Sequence, residues 1–170
     1  RFAYAHRDIA RVVRREIDIL SKRQAADGGC GYYDFGHSLP TPTGSESTSF
    51  NTATALIALH EARQAGFEVS DDVIHDGLMC LERLRLPTGA YVYGTYAQLR
   101  PAVGFNRIKG SLGRSQVCNY ALWLYGRDMT RDDLLAGVQN FREHHHFIEI
   151  GKARPYPHEA WYYTAGYYFL

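Results

Sequence analysis

No apolar run in this 170-residue chain approaches the ~20 residues that a membrane-spanning helix requires, and nothing at its start reads as a signal peptide. Neither charge dominates, since 19 Lys and Arg stand against 18 Asp and Glu for a net +1. Such a chain has no overall field to draw it to nucleic acid or an anionic bilayer, so neither is expected as a partner. Lysine is scarce, present only at positions 22, 109 and 152, which leaves arginine to carry almost all the basic charge. Cysteine is scarce too. Cys30, Cys80 and Cys118 are an odd number without metal-type spacing, which argues against a disulfide framework and favours the cytoplasm, with the periplasm as the alternative.

With 45% hydrophobic and 22% charged residues, the composition excludes disorder and collagen and supports a domain with a buried core. Aromatics are plentiful, at 13 Tyr and 8 Phe. Together with the arginine bias they suggest fixed, planar packing between elements and an aromatic-lined cavity. The chain starts at Arg1 and stops inside the aromatic stretch Tyr167-Tyr168-Phe169-Leu170, so it reads as a piece of something longer.

Hydrophobic periodicity predicts helices throughout. Ile9, Val12, Val13, Ile17 and Leu20 form an apolar stripe over 5–23. A second helix is expected over 48–65, rich in alanine, capped by Ser47 or Ser45 and ended by Gly66. Ser70 with Asp71 and Asp72 opens a third, whose stripe of Val73, Ile74, Gly77, Leu78, Leu81 and Leu84 runs until Pro87. Ser111 can cap a fourth over about 113–126, bearing Val117, Ala121, Leu122 and Leu124. Thr130 and Asp133 resemble a capping box for a fifth over 131–146, and a sixth starts near 159.

These helices repeat. Leu20, Leu81 and Phe141 lie at matching places, 61 and 60 residues apart, and each is followed by a glycine, at Gly29, Gly89 and Gly151. Tyrosines come next: Tyr32 and Tyr33, then Tyr91 and Tyr93, then Tyr156. The even helices align Ser49, Ala55 and Leu56 with Ser115, Ala121 and Leu122, at a spacing of 66. The expected architecture is one all-α domain of three hairpins, about 5–66, 71–126 and 131–170, each burying its faces only by stacking on a neighbour.

The run from Gln24 through Gly28-Gly29-Cys30-Gly31-Tyr32-Tyr33, then Ser47 to Leu59, then Leu84 to Tyr93, resembles the prenyltransferase and squalene-oxidase repeat. That resemblance implies an α/α toroid of inner and outer helices around an apolar cavity, with the even helices here inside. A full ring needs about twelve helices, so this chain would form half of one. Its inner faces would lie open, and the chain is expected to self-associate through them.

The chemistry of the resembled families is not found in this segment. Terpenoid cyclases of the acid-initiated class use Asp-x-Asp-Asp, whereas Asp71-Asp72 and Asp132-Asp133 read as acids in first helical turns. Protein prenyltransferases hold zinc with an Asp and a Cys two residues apart, but Asp27 and Cys30 are three apart. The thioester proteins need Gly-Cys-Gly-Glu-Gln, where this chain has Gly29-Cys30-Gly31-Tyr32-Tyr33. His144-His145-His146 point in different directions on a helix and read as a solvated end, and His60 and His75 stand singly. No Gly-x-Ser-x-Gly elbow occurs. No metal or cofactor is therefore expected here, and no known catalytic motif assigns a catalytic residue.

What remains is a binding role. Tyr32, Tyr33, Tyr91, Tyr93, Tyr96, Trp161 and Tyr162 recur at equivalent places and would gather at one rim of a ring, able to take an isoprenoid or another apolar small molecule. Arg107 and Arg114 flank the Ser111 cap and could hold a phosphate or diphosphate. The leading expectation is a cyclase- or prenyltransferase-like toroid that binds an apolar ligand. Two alternatives stand beside it: a non-catalytic scaffold for a partner protein, and a carbohydrate-active (α/α) enzyme using Asp34, Glu46 or Glu159.

Overall fold

The computed structural model describes residues 2–31, 47–95 and 111–145, with side chains from Arg7 onward. Among these residues the chain is all-α, with helices α1 (Phe2–Lys22), α2 (Ser49–Gln64), α3 (Asp71–Leu84), α4 (Leu112–Leu124) and α5 (Arg131–His144). Extended pairing is limited to single bridges between Gly31 and Ser47, Thr48 and Gly94, and Arg85 and Tyr91. The expected sixth helix lies outside the described residues. No described helix is long and apolar enough to cross a membrane.

Helices α2 and α4 pack on one another, α1 and α3 lean on α2, and α3 and α5 lean on α4. Small residues make the central contact close: Ala53 and Ala121 are both fully buried. Leu56, Leu78, Leu81 and Leu122 surround it, and the helix-three stripe from Ile74 to Leu84 is buried as its spacing predicts. The α1 stripe is used only in part. Ile9 and Val12 are 59% and 51% exposed, whereas Ile17 and Leu20 are half-buried.

Two glycines, one in α3 and one in α5, lie close against a neighbouring helix. A Cβ on Gly77 would lie 3.0 Å from Leu56 of α2, and one on Gly137 would lie 2.9 Å from Gln116 of α4. A larger residue at either place would require the Leu56 or the Gln116 side chain to give way.

The repeat is present in the backbone, with two corrections to its register. The left-handed turn residues are Gly28 and Gly89, at φ 86° and 78°, so Gly89 corresponds to Gly28 and not to Gly29. The same two bonds close each turn, Gly28 N–H to Ala25 carbonyl and Ala25 N–H to Gly29 carbonyl in one, Gly89 to Leu86 and Leu86 to Ala90 in the other. For the even helices, the turn glycines Gly66 and Gly126 match at sixty residues, as do the bonds that close each helix end. The 66-residue alignment of Ala55-Leu56 with Ala121-Leu122 therefore slips the chain by more than a turn, because identical small residues recur along both helices.

The caps also differ from expectation at three places. Thr48, not Ser47, is the N-cap of α2, and Ser45 lies outside the described residues. Ser70 and Ser111 occupy cap positions without a side-chain cap bond; the Ser111 hydroxyl lies 3.1 Å from that of Ser115. The Thr130 capping box is present as read. Asp133 N–H donates to the Thr130 hydroxyl oxygen at 3.1 Å, and Thr130 N–H donates to Asp133 Oδ2 at 2.9 Å.

The Thr130 hydroxyl and backbone N–H hold the Asp133 carboxyl below the usual carboxylate range, with the Arg85 guanidinium adding to the effect. A depressed carboxylate stabilises the fold above its unfolded value and loses that contribution as pH falls through the folded one. Thr130→Ala is expected to cost about 1 kcal/mol. Asp133→Asn should lower the melting temperature at neutral pH and approach the wild type in acid. A gap that persists unchanged into acid would show that the charge does not hold this cap.

Candidate functional site

The loop after α3 turns at Gly89 and returns along the helix end, where Val92 N–H donates to the Leu84 carbonyl at 2.8 Å. This return carries Tyr91 inward. Its ring is fully buried in the main core, and its hydroxyl donates to Asn119 Oδ1 of α4 at 2.9 Å. Arg114, also on α4 and 6% exposed, donates from Nε to the Tyr91 carbonyl at 3.0 Å and places its guanidinium 5.3 Å from the centre of the Tyr93 ring. Tyr93 in turn packs on Phe50 at 5.4 Å between ring centroids.

The structure brings Tyr91 and Tyr93 together with Arg114, but inside the protein. They brace the second loop against α4 and present almost no surface to a ligand. Burial raises the Tyr91 hydroxyl well above its ordinary range, so it stays a neutral donor. Tyr32, Tyr33, Tyr96, Arg107, Trp161 and Tyr162 lie outside the described residues, as do Asp34, Glu46 and Glu159.

The Gly-rich loop near Asp27 is likewise a structural junction. Asp27 Oδ1 accepts hydrogen bonds from the Gly29 N–H, at 3.1 Å, and from the Ser47 hydroxyl, while Arg83 donates to the Asp27 carbonyl. Cys30 N–H donates to the Thr52 hydroxyl oxygen at 2.9 Å. Burial, helped by the Asp27 charge, pushes the Cys30 and Cys80 thiols up to about 11, and burial raises Cys118 as well. All three cysteines are free and stay protonated at neutral pH, so none is an activated nucleophile. Among the described residues no three His, Cys, Asp or Glu side chains are placed to share a metal ion. His144 sits in the last turn of α5, and the His145 ring lies 2.8 Å from the Arg142 carbonyl, as a helix-end role requires.

The exposed aromatics are elsewhere. Tyr120 and Trp123 lie on α4 at 43% and 47% exposure, their rings stacked at 6.1 Å and 22° between planes. They share the helix with Val117, Cys118, Ala121 and Leu122, all buried, so the pair projects from a rigid base. Reading α4 as an inner helix drew attention to its small and aliphatic positions and passed over this pair. Its i, i+3 spacing was the available signal, since residues at that separation share a helix face.

No family model matches the chain, and no curated protein or solved structure is significantly similar to it.

Proposed function

We propose that the chain is a cyclase- or prenyltransferase-like helical-hairpin domain, part of an α/α toroid, that holds an apolar ligand of isoprenoid type against the open side of its central helices. The carrying observation is the stacked, exposed Tyr120 and Trp123 pair on α4, a helix otherwise committed to the core. Exposed large apolar groups on a rigid element mark binding surfaces more often than isolated ones do. Aromatic faces suit an isoprenoid because they offer a large apolar area with little conformational entropy to lose on binding. The layering of α2 and α4 beneath α1, α3 and α5 supports the inner and outer assignment that such a ring requires.

Trp123 provides its own reporter. The chain has two tryptophans, so Trp161→Phe leaves Trp123 as the sole source of indole emission. Titrating farnesol or geranylgeraniol into this variant, without detergent, should shift its emission to the blue and saturate. Tyr120→Ala should weaken that response. The reading fails if neither compound changes Trp123 emission up to its solubility limit. Self-association through the same helices would appear instead as a mass that rises with protein concentration and falls when ligand is added.

A further inference from the structure

Packing loosens along the stack. At the first hairpin junction Gln24 Nε2 donates to the carbonyls of Gly28 and Val73, both at 2.7 Å, and only about 10 Å³ of space remains. The equivalent junction, sixty residues along, is an open groove of about 780 Å³ between the 86–90 turn, α4 and α5. The helices at that end are open too. Tyr120 and Trp123 are exposed on α4, and Val138 is 46% exposed on α5. Leu78, the equivalent of Val138 on α3, is 5% exposed and shares the main core with Val117 and Met129 of the following hairpin. An outer-helix position of this kind is therefore buried by the next hairpin, and among the described residues none follows α5.

The fold shows how such a face is covered. Where α4 meets α2, Cys118 reaches the Ser49 hydroxyl, and the Tyr125 hydroxyl donates to the Leu56 carbonyl at 2.8 Å while its ring meets His60 edge-on at 5.2 Å. Ala121 lies between them, fully buried. Cys118, Ala121 and Tyr125 share one helix face, at spacings of three and four. Sixty residues earlier the same face of α2 carries Ala58, Glu61 and Ala65, with Thr54 one turn before, and all four are exposed. The stack thus has two unlike open ends. One is an α2 stripe that matches the surface with which α4 packs. The other is the α4 side marked by Tyr120, which stands in the place where His60 receives Tyr125.

We infer that two copies of this chain associate head to tail, the Thr54, Ala58 and Ala65 stripe of one packing on the Tyr120 and Trp123 side of α4 in the other. This contact repeats the α2–α4 joint between molecules. Sizes complement each other across it. The internal joint sets His60 against Tyr125, and the intermolecular joint sets the larger Tyr120 against Ala65, with Ala58 leaving room for the Trp123 ring stacked on Tyr120. Small side chains let a helix approach closely enough for the rings opposite to lie flat on it. A second copy uses both open ends at once, whereas a further hairpin added at α4 would leave the α2 stripe bare. Unlike ends make a heterologous contact, which closes a ring where the rotation allows and otherwise continues into longer assemblies. The contact does not depend on the isoprenoid reading: a ligand and a second copy compete for Tyr120 and Trp123, and Ala58 belongs to the second copy alone.

Light scattering from micromolar to millimolar chain tests it. The wild-type mass should rise from one copy to two or more. Ala58 is exposed, so Ala58→Glu should leave the circular-dichroism spectrum unchanged and hold the mass at one copy, and Tyr120→Glu should do the same. Mixed in equal amounts, the two variants should form pairs and nothing larger, because each supplies the end that the other has lost. Ala58→Glu keeps Tyr120 and Trp123, so its response to farnesol reports on the ligand reading with assembly removed. Three results would overturn the head-to-tail contact: a wild type that stays a single copy at every concentration, as when residues 146–170 of the same chain cover Tyr120; association that survives Ala58→Glu, as when α4 meets α4; or variants that remain single copies when mixed.

Discussion

Gly28→Ala will destabilise the chain by about 3 kcal/mol or more, whereas Gly89→Ala, at the equivalent turn, will cost about 1 kcal/mol. Both residues have left-handed backbone, at φ 86° and 78°, so each substitution carries the strain of an L side chain in that region. Only Gly28 adds a collision. A Cβ there would strike the Asp76 carbonyl oxygen and lie 2.8 Å from its carbon, and backbone cannot swing aside as a side-chain tip can. A Cβ on Gly89 would meet nothing within 4 Å among the described residues. The first turn is clamped against α3 by the Gln24 bonds to Gly28 and Val73, and the second borders the open groove. Urea unfolding of the two variants measures the difference directly. Equal losses would mean that the first junction relaxes freely and is not the closed packing described.

Tyr91→Ala will cost about 3–5 kcal/mol, the range for deleting a buried aromatic and leaving a cavity. Tyr91→Phe will cost about 1–3 kcal/mol, because the ring stays while Asn119 Oδ1, buried on α4, loses its donor. Folded Tyr91→Phe protein should still bind farnesol as the wild type does. That outcome separates a bracing residue from a ligand contact. A Tyr91→Ala protein with wild-type stability but lost isoprenoid binding would return Tyr91 to the binding site.

The hairpin plan was legible because its signals are local. Apolar spacing located five helices to within a few residues, and the Thr130 box marked the start of α5 because a cap needs only residues three apart. The near-sixty-residue period was visible in Leu20, Leu81 and Phe141, of which Leu81 is fully buried and the other two are half-buried. Its finer register was not. Ala55-Leu56 and Ala121-Leu122 look equivalent as text, and only the Gly66 and Gly126 helix ends and the glycine contacts of α3 and α5 distinguish sixty from 66.

The candidate site was less legible. Tyr91 and Tyr93 were found by recurrence and Arg114 by its place beside the Ser111 cap, yet recurrence marks whatever every repeat needs, and what every repeat needs first is packing. Their burial followed from the way the 86–95 segment folds back onto α4, a pairing of residues more than twenty positions apart. Tyr120 and Trp123 were overlooked for the opposite reason: they do not recur. The helices, their approximate ends, the hairpin period and the absence of a membrane-spanning run were decided by the sequence alone, through periodicity and backbone preference. Which aromatics are core and which face outward, and that one junction is closed while its equivalent is open, depended on tertiary packing. Burial is a property of what the rest of the chain places against a residue, and no window of neighbouring letters contains it.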